Sequence, residues 1–144
     1  MSGMEPLVAF GLVCNVFQAI HFVGQTVSMS KNAFRTGSSD PGLAKLIDDS
    51  AEWYDNLVKS IQSAAPLTED EINLIRIAEK TRDAADEVKR ETKRLISQSA
   101  KGDVLAAVLG GVKARLSESK LGKLEKKVQG YQRLLESGTL GVLW

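Results

Sequence analysis

Apolar residues recur at helical spacing along most of this chain, in stretches separated by breaks rich in Gly, Ser and Pro, and the alternation typical of strands is missing. The first stretch is the most unusual. No Asp, Glu, Lys or Arg occurs between Glu5 and Lys31, and the segment from Pro6 to Ser30 is 25 residues long. As an α-helix it would measure about 37 Å at ~1.5 Å per residue, against a bilayer hydrocarbon core of about 30 Å. It is interrupted by Asn15, Gln18, His21, Gln25 and Ser28. At about 100° per residue these fall within a sector of about 140°, together with Gly11 and Cys14. Val8, Leu12, Val13, Val16, Phe17, Ile20, Val23 and Val27 lie outside that sector, whereas Leu7, Phe10, Phe22 and Met29 lie in it or on its edge. The segment therefore predicts a helix, from Glu5 to about Phe34, with one strongly apolar face and one mixed, uncharged face. Such a helix can be the centre of a bundle in one state and face lipid in another.

A turn over Thr36–Gly42 precedes a second helix, Pro41 to about Ala64. Leu43, Leu46, Ile47, Tyr54, Leu57, Val58 and Ile61 form its inward stripe, and Asp48, Asp49, Glu52 and Asp55 face water. Tyr54 is expected in the core and Trp53 at its boundary. A third helix runs from Thr68 to about Ser97. Thr68 and Glu71 have the spacing of a capping box, and Glu69, Asp70 and Glu71 suit the positive end of the helix dipole. Its buried stripe is Leu74, Ile77, Ala78, Ala85, Val88, Leu95 and Ile96. Its outer side offers the pairs Asp86–Arg90, Glu87–Arg90 and Glu91–Arg94. Lys101-Gly102-Asp103 reads as a stop and a new cap. A fourth helix then covers about Val104–Leu116, with Gly110-Gly111 predicting a break or a close helix contact, at about 1 kcal/mol per glycine. A fifth starts near Ser119, where Leu121, Leu124, Val128, Tyr131 and Leu135 follow a 3-4-3-4 seam. The expected fold is all-α, a single helical bundle domain of four to five helices over residues 1–144, with the N-terminal apolar helix central. Met1-Ser2-Gly3 reads as an appended leader ahead of a natural start at Met4, and the apolar end, Ser137–Trp144, as the point where a longer protein continues.

Charge changes this picture little overall and more locally. The net charge is +1, which supplies no global field for nucleic acid, and no zinc-finger, RNP or basic-region pattern occurs. Residues 101–144 are the exception, with eight Lys/Arg against four Asp/Glu. Lys120, Lys123, Lys126 and Lys127 there could meet anionic lipid, each at about 1 kcal/mol. The competing reading is a solvated helix face beside Glu118 and Glu125.

Candidate chemistry is scarce. There is no P-loop, and one Cys and one His do not make a metal site. Cys14 and His21 share a side of the first helix but stand two turns, about 10 Å, apart, too far for a nucleophile–base pair. They read as a buried thiol and a polar-side imidazole. The acidic run Asp48–Asp55 lacks calcium-loop spacing. No catalytic residue, metal or cofactor is expected, and no enzymatic activity.

Three segments resemble one family. Met4-Glu5-Pro6-Leu7-Val8-Ala9-Phe10-Gly11-Leu12, followed by Val16-Phe17-Gln18, is similar to the opening of fungal HeLo-like domains, which stand at the N-terminus of STAND/NLR receptors and ankyrin-repeat proteins. Leu74–Lys80 with Ala84–Val88 resembles a middle helix of that family, and Leu121–Leu135 its last helix. The chain departs from it at Val104-Leu105-Ala106-Ala107, where many relatives carry a Trp. The resemblance implies an all-helical cell-death or immune effector domain, related to the four-helix domain of the mixed-lineage kinase-like pseudokinase and to the coiled-coil domains of plant NLRs. It implies self-association on activation, passage from the cytoplasm to the plasma membrane, and a nucleotide-binding receptor module further along the full-length protein. It also implies that Leu7, Val8, Phe10, Leu12, Val13, Val16, Phe17, Ile20, Phe22 and Val23 belong to a membrane-inserting helix whose polar stripe is Asn15, Gln18, His21 and Gln25. The rival expectation is a signalling adaptor that self-associates or recruits another helical domain without entering a bilayer.

Overall fold

A computed structural model describes the backbone of residues 6–36, 41–66, 68–99 and 104–143, and the side chains of 7–32, 42–66, 68–94 and 118–137. The described residues form four helices: α1 (Pro6–Thr36), α2 (Pro41–Ser63), α3 (Glu69–Ser99) and α4 (Val104–Leu143). Proline opens α1 and α2, where its missing N–H costs nothing. The capping box at α3 closes as its spacing predicts. The Thr68 amide donates to Glu71 Oε1 at 3.0 Å, and the Glu71 amide donates to Thr68 Oγ1 at 3.2 Å.

The expected break between a fourth and a fifth helix does not occur: α4 is one helix of 40 residues that runs through Gly110-Gly111 and Ser119. Two glycines weaken a helix by about 2 kcal/mol together. The segment from Val112 to Leu121 contains no proline to remove a hydrogen bond, so propagation from both sides carries the helix across. The possible close contact at Gly110-Gly111 concerns side-chain surroundings outside the described residues, as do Leu95 and Ile96.

Cross-helix pairs give the directions. Asn15 meets Ser60 and Phe22 meets Trp53, so α1 and α2 are antiparallel. Lys31 meets Glu125 across α1 and α4 while Phe17 and Gln132 share a groove lower down, so these are antiparallel too. α1 touches all three other helices and so does α3, whereas α2 and α4 do not touch each other among the described residues. α1 and α3 are thus a central pair, flanked by α2 on one side and α4 on the other.

The core follows from that arrangement. α1 contributes Leu12, Val13, Val16, Ala19, Ile20, Phe22, Val23 and Val27. Ile47 and Leu57 come from α2, and Leu74, Ala78, Ala84, Ala85 and Val88 from α3. The predicted seam of α4 holds, with Leu121, Leu124, Val128 and Leu135 buried and Tyr131 half-buried. Of the two α2 aromatics, Trp53 sits at the core boundary as expected, whereas Tyr54, expected in the core, is only half-buried. Trp53 packs on the core with its ring 5.0 Å from that of Phe22, while Tyr54 lies beside it under Lys89 Nζ, 5.8 Å from the ring centre. An indole offers more apolar area to a core than a phenol.

Candidate functional site

α1 is covered on roughly two thirds of its circumference. The uncovered side reads Leu7, Phe10, Cys14, Gln18, His21, Gln25, Ser28 and Asn32, a single stripe spaced by three and four residues, and Val8 is exposed off that stripe in the first turn. None of these side chains belongs to Asp, Glu, Lys or Arg. The stripe is apolar at its start, where Leu7 is 82% and Phe10 55% exposed, and polar but uncharged beyond. The other three helices behave differently: their exposed positions carry Asp48, Glu52, Lys59, Glu79, Arg90, Lys123 and Lys126, among others.

The residues singled out from sequence therefore separate into three groups. Leu7, Val8 and Phe10 are exposed; Leu12, Val13, Val16, Ile20, Phe22 and Val23 are buried; Phe17 is half-buried. Phe22, expected in the polar sector or on its edge, is instead covered by Trp53 of α2. In the polar stripe, Gln18, His21 and Gln25 are exposed, but Asn15 is not part of a free edge. Its Nδ2 donates to Ser60 Oγ at 2.8 Å, which ties α1 to α2. Cys14, expected buried, is exposed, because no helix covers the side of α1 on which it stands. Cys14 and His21 remain separated along the helix, and no group of three His, Cys, Asp or Glu among the described residues could hold a metal ion.

Between α1 and α4 lies an open groove of about 690 Å³. Phe17, Ile20 and Val128 line it with apolar atoms, Gly24 adds no side chain, and Gln25 and Gln129 stand among its polar lining. At the Lys31 end, Glu125 is paired with Lys31 Nζ at 3.9 Å. Sequence reasoning missed this groove, since it needs α1 and α4 side by side. A smaller one between α3 and α4 is lined by charges of both signs, including Asp86, Arg90 and Lys127.

The basic face of α4 is also divided. Lys123, Lys126 and Lys127 are exposed, but Lys120 Nζ donates to Glu91 Oε1 of α3 at 3.1 Å. Glu91 is almost wholly buried and is also approached by Arg94 at 3.7 Å, so Lys120 is engaged in the bundle. Arg90 turns to Asp86 at 3.6 Å rather than to Glu87. Among the described residues two titrations are displaced, both on α2. Burial, and after it the charge of Asp86, pushes the Tyr54 phenol above its ordinary range. The hydrogen bond from Lys59 to Asp55 raises that lysine.

Among the described residues three buried hydroxyls have no hydrogen-bond partner: Thr26 and Ser30 on α1, and Thr92 on α3. Thr81 shows the alternative, donating to the Ile77 carbonyl one turn back at 2.8 Å. From Leu7 to Asn32, α1 is long and apolar enough to cross a bilayer, although less than half of its most apolar stretch is buried in the bundle. Length and apolarity of this kind also describe the core helix of a soluble bundle. Compared with known proteins, the chain matches no family model, no curated protein and no solved structure.

Proposed function

We propose that this chain is a membrane-acting effector domain of the HeLo-like kind, which self-associates on activation and transfers α1 from the bundle core to lipid. The observation that carries the reading is the absence of charge on the outer side of α1. A helix that serves only as a soluble core element has no need of this, and α2, α3 and α4 all place charges on their outer sides. Each Asp, Lys or Arg near the centre of a spanning helix would cost about 2.5–3.5 kcal/mol; between Glu5 and Lys31 α1 has none. The resemblance of Met4–Leu12, Leu74–Val88 and Leu121–Leu135 to HeLo-like domains supports the same reading at the level of fold and family. In lipid, the apolar face of α1 would lose its cost of exposure to water. Gln18, His21 and Gln25 would turn toward neighbouring helices or a pore, because unpaired polar groups are unfavourable in hydrocarbon. Lys123, Lys126 and Lys127 would hold the domain at an anionic, cytoplasmic leaflet. No step of this process makes or breaks a covalent bond.

The Asn15–Ser60 contact supplies the test. In a Cys14→Ser background, Asn15→Cys and Ser60→Cys would be joined by a short reducible bis-thiol linker, which fastens α1 to α2 without deleting any residue. Dye-loaded vesicles of phosphatidylcholine and phosphatidylserine should leak with the unlinked protein, stay intact with the linked one, and leak again on reduction. Full leakage from protein shown to be linked would end the idea that α1 leaves the bundle. Self-association with no leakage from any vesicle would favour the adaptor reading.

A further inference from the structure

The chain carries an uncovered apolar knob and an uncovered groove with apolar walls on the same helix, and the two cannot meet within one molecule. The knob is Leu7 with Phe10, at the start of α1. The groove lies against Gly24, fourteen residues on, about 21 Å along a rigid helix. We infer that the knob of one copy seats in the α1–α4 groove of another, so that this chain associates with itself head to tail. This deepens the self-association in the reading above and rests on it for its biological purpose only.

Chemistry selects the occupant. Phe17, Ile20 and Val128 offer an apolar bed, Gln25 and Gln129 are neutral, and the charge of Glu125 is already met by Lys31. Apart from Glu125, the lining, which includes His21, holds no Asp, Glu, Lys or Arg for a strongly charged partner to pair with. In a chain that is 26% charged, the start of α1 is the described surface where large apolar side chains adjoin one another without a charge between them. At Gly24 an added Cβ would meet nothing within 4 Å, so the groove is open down to the helix backbone and can admit a side chain. The contact is heterologous: each copy uses one patch to give and a different patch to receive, which generates a ring or an open stack rather than a closed pair. Two side chains in a groove cover far less than the roughly 1,200 Å² of a stable interface. The contact is therefore weak between free copies, and becomes significant when copies are held close and their effective concentration rises.

Cross-linking and sedimentation test it on the whole chain in water. In the Cys14→Ser background, a Leu7→Cys copy is mixed with a Gln129→Cys copy and oxidised; the 7–129 product should exceed both the 7–7 and the 129–129 products. By sedimentation velocity, Phe10→Asp and Gly24→Leu should each weaken association at least tenfold. Gly24→Leu is the decisive variant, since leucine is the better helix former and the site has room, so its thermal melt should not fall. Absence of the 7–129 product, or association untouched by both substitutions, overturns the interface, and vesicle leakage persisting in that case leaves the membrane reading standing. A 7–129 product with association abolished by both substitutions, but no leakage from any vesicle, upholds the interface and ends the membrane reading.

Discussion

Four valines along α1 report how deeply the bundle covers it. Val16, Val23 and Val27 are fully buried, whereas Val8 is 37% exposed. Replacing Val16 with Ala removes two carbon groups, at ~0.8 kcal/mol each. The space left, about 40 Å³ if neighbours do not move, adds about 1 kcal/mol at ~24 cal/mol per Å³. Alanine's better helix propensity offsets about 0.6 kcal/mol of this. The expected net loss is about 2 kcal/mol at Val16, and similar at Val23 and Val27. At Val8 roughly 60% of the transfer term applies, no closed cavity forms and the propensity gain is the same, so Val8→Ala should fall within about 0.5 kcal/mol of zero. A chain of this length has a total stability of about 7–20 kcal/mol, so the difference is readable as a shift in urea midpoint at constant slope. Val16→Asp should cost at least about 3 kcal/mol more severely, as an unpaired buried charge. Equal losses at all four valines, or the largest at Val8, would refute α1 as the central helix with an uncovered start.

The orphaned hydroxyls predict the opposite sign: Thr26→Val keeps the shape, removes an unpaired buried oxygen, and should raise stability by about 1 kcal/mol in the same urea series. A fall would mean that the hydroxyl is bonded in solution. The basic face predicts a division of labour: changing Lys123, Lys126 and Lys127 to Gln should weaken binding to anionic vesicles and flatten its salt dependence, with the melt unchanged. Lys120→Gln should instead lower the melt, because it removes a cation from the buried Glu91 carboxylate, and should barely alter vesicle binding.

How far the sequence could be read depended on how local the deciding force was. The charge-free stretch after Glu5 made α1 central, the Thr68–Glu71 spacing placed the start of α3, and the 3-4-3-4 seam of Leu121–Leu135 placed the inner face of α4. Each is a property of one helix. The mixed side of α1 was another matter. Phe10 and Phe22 are equally apolar and both belong to the mixed side or its edges, about 120° apart on a helical wheel, yet one is exposed and the other lies under Trp53. Which edge of the mixed side is covered is decided by the placement of α2. The same holds for Asn15 with Ser60, for Lys120 with Glu91, and for the groove that α1 forms with α4. Cys14 was misjudged because thiols are buried more often than not, and here the uncovered edge passes through it. At Gly110-Gly111 a local penalty of a few kcal/mol was weighed correctly but set against too little, since a helix already propagating on both sides continues through it.

The two-centred arrangement makes the helices unequal as removable parts. Both α1 and α3 touch every other helix, but among the described residues α3 is joined by chain to a helix on each side and α1 to α2. Without α1, α2 and α4 would still each touch α3, and core residues such as Leu57, Ala78, Val88, Leu124 and Val128 would lose the helix that completes their cluster. Such a remainder would be a receptor for its own missing strut. If α2, α3 and α4 hold together in that state, α1 acts as a ligand held by a tether, and the resting bundle is the bound state of that complex. Anything that competes for those core residues, or for α1 itself, then shifts one binding equilibrium rather than unfolding a domain.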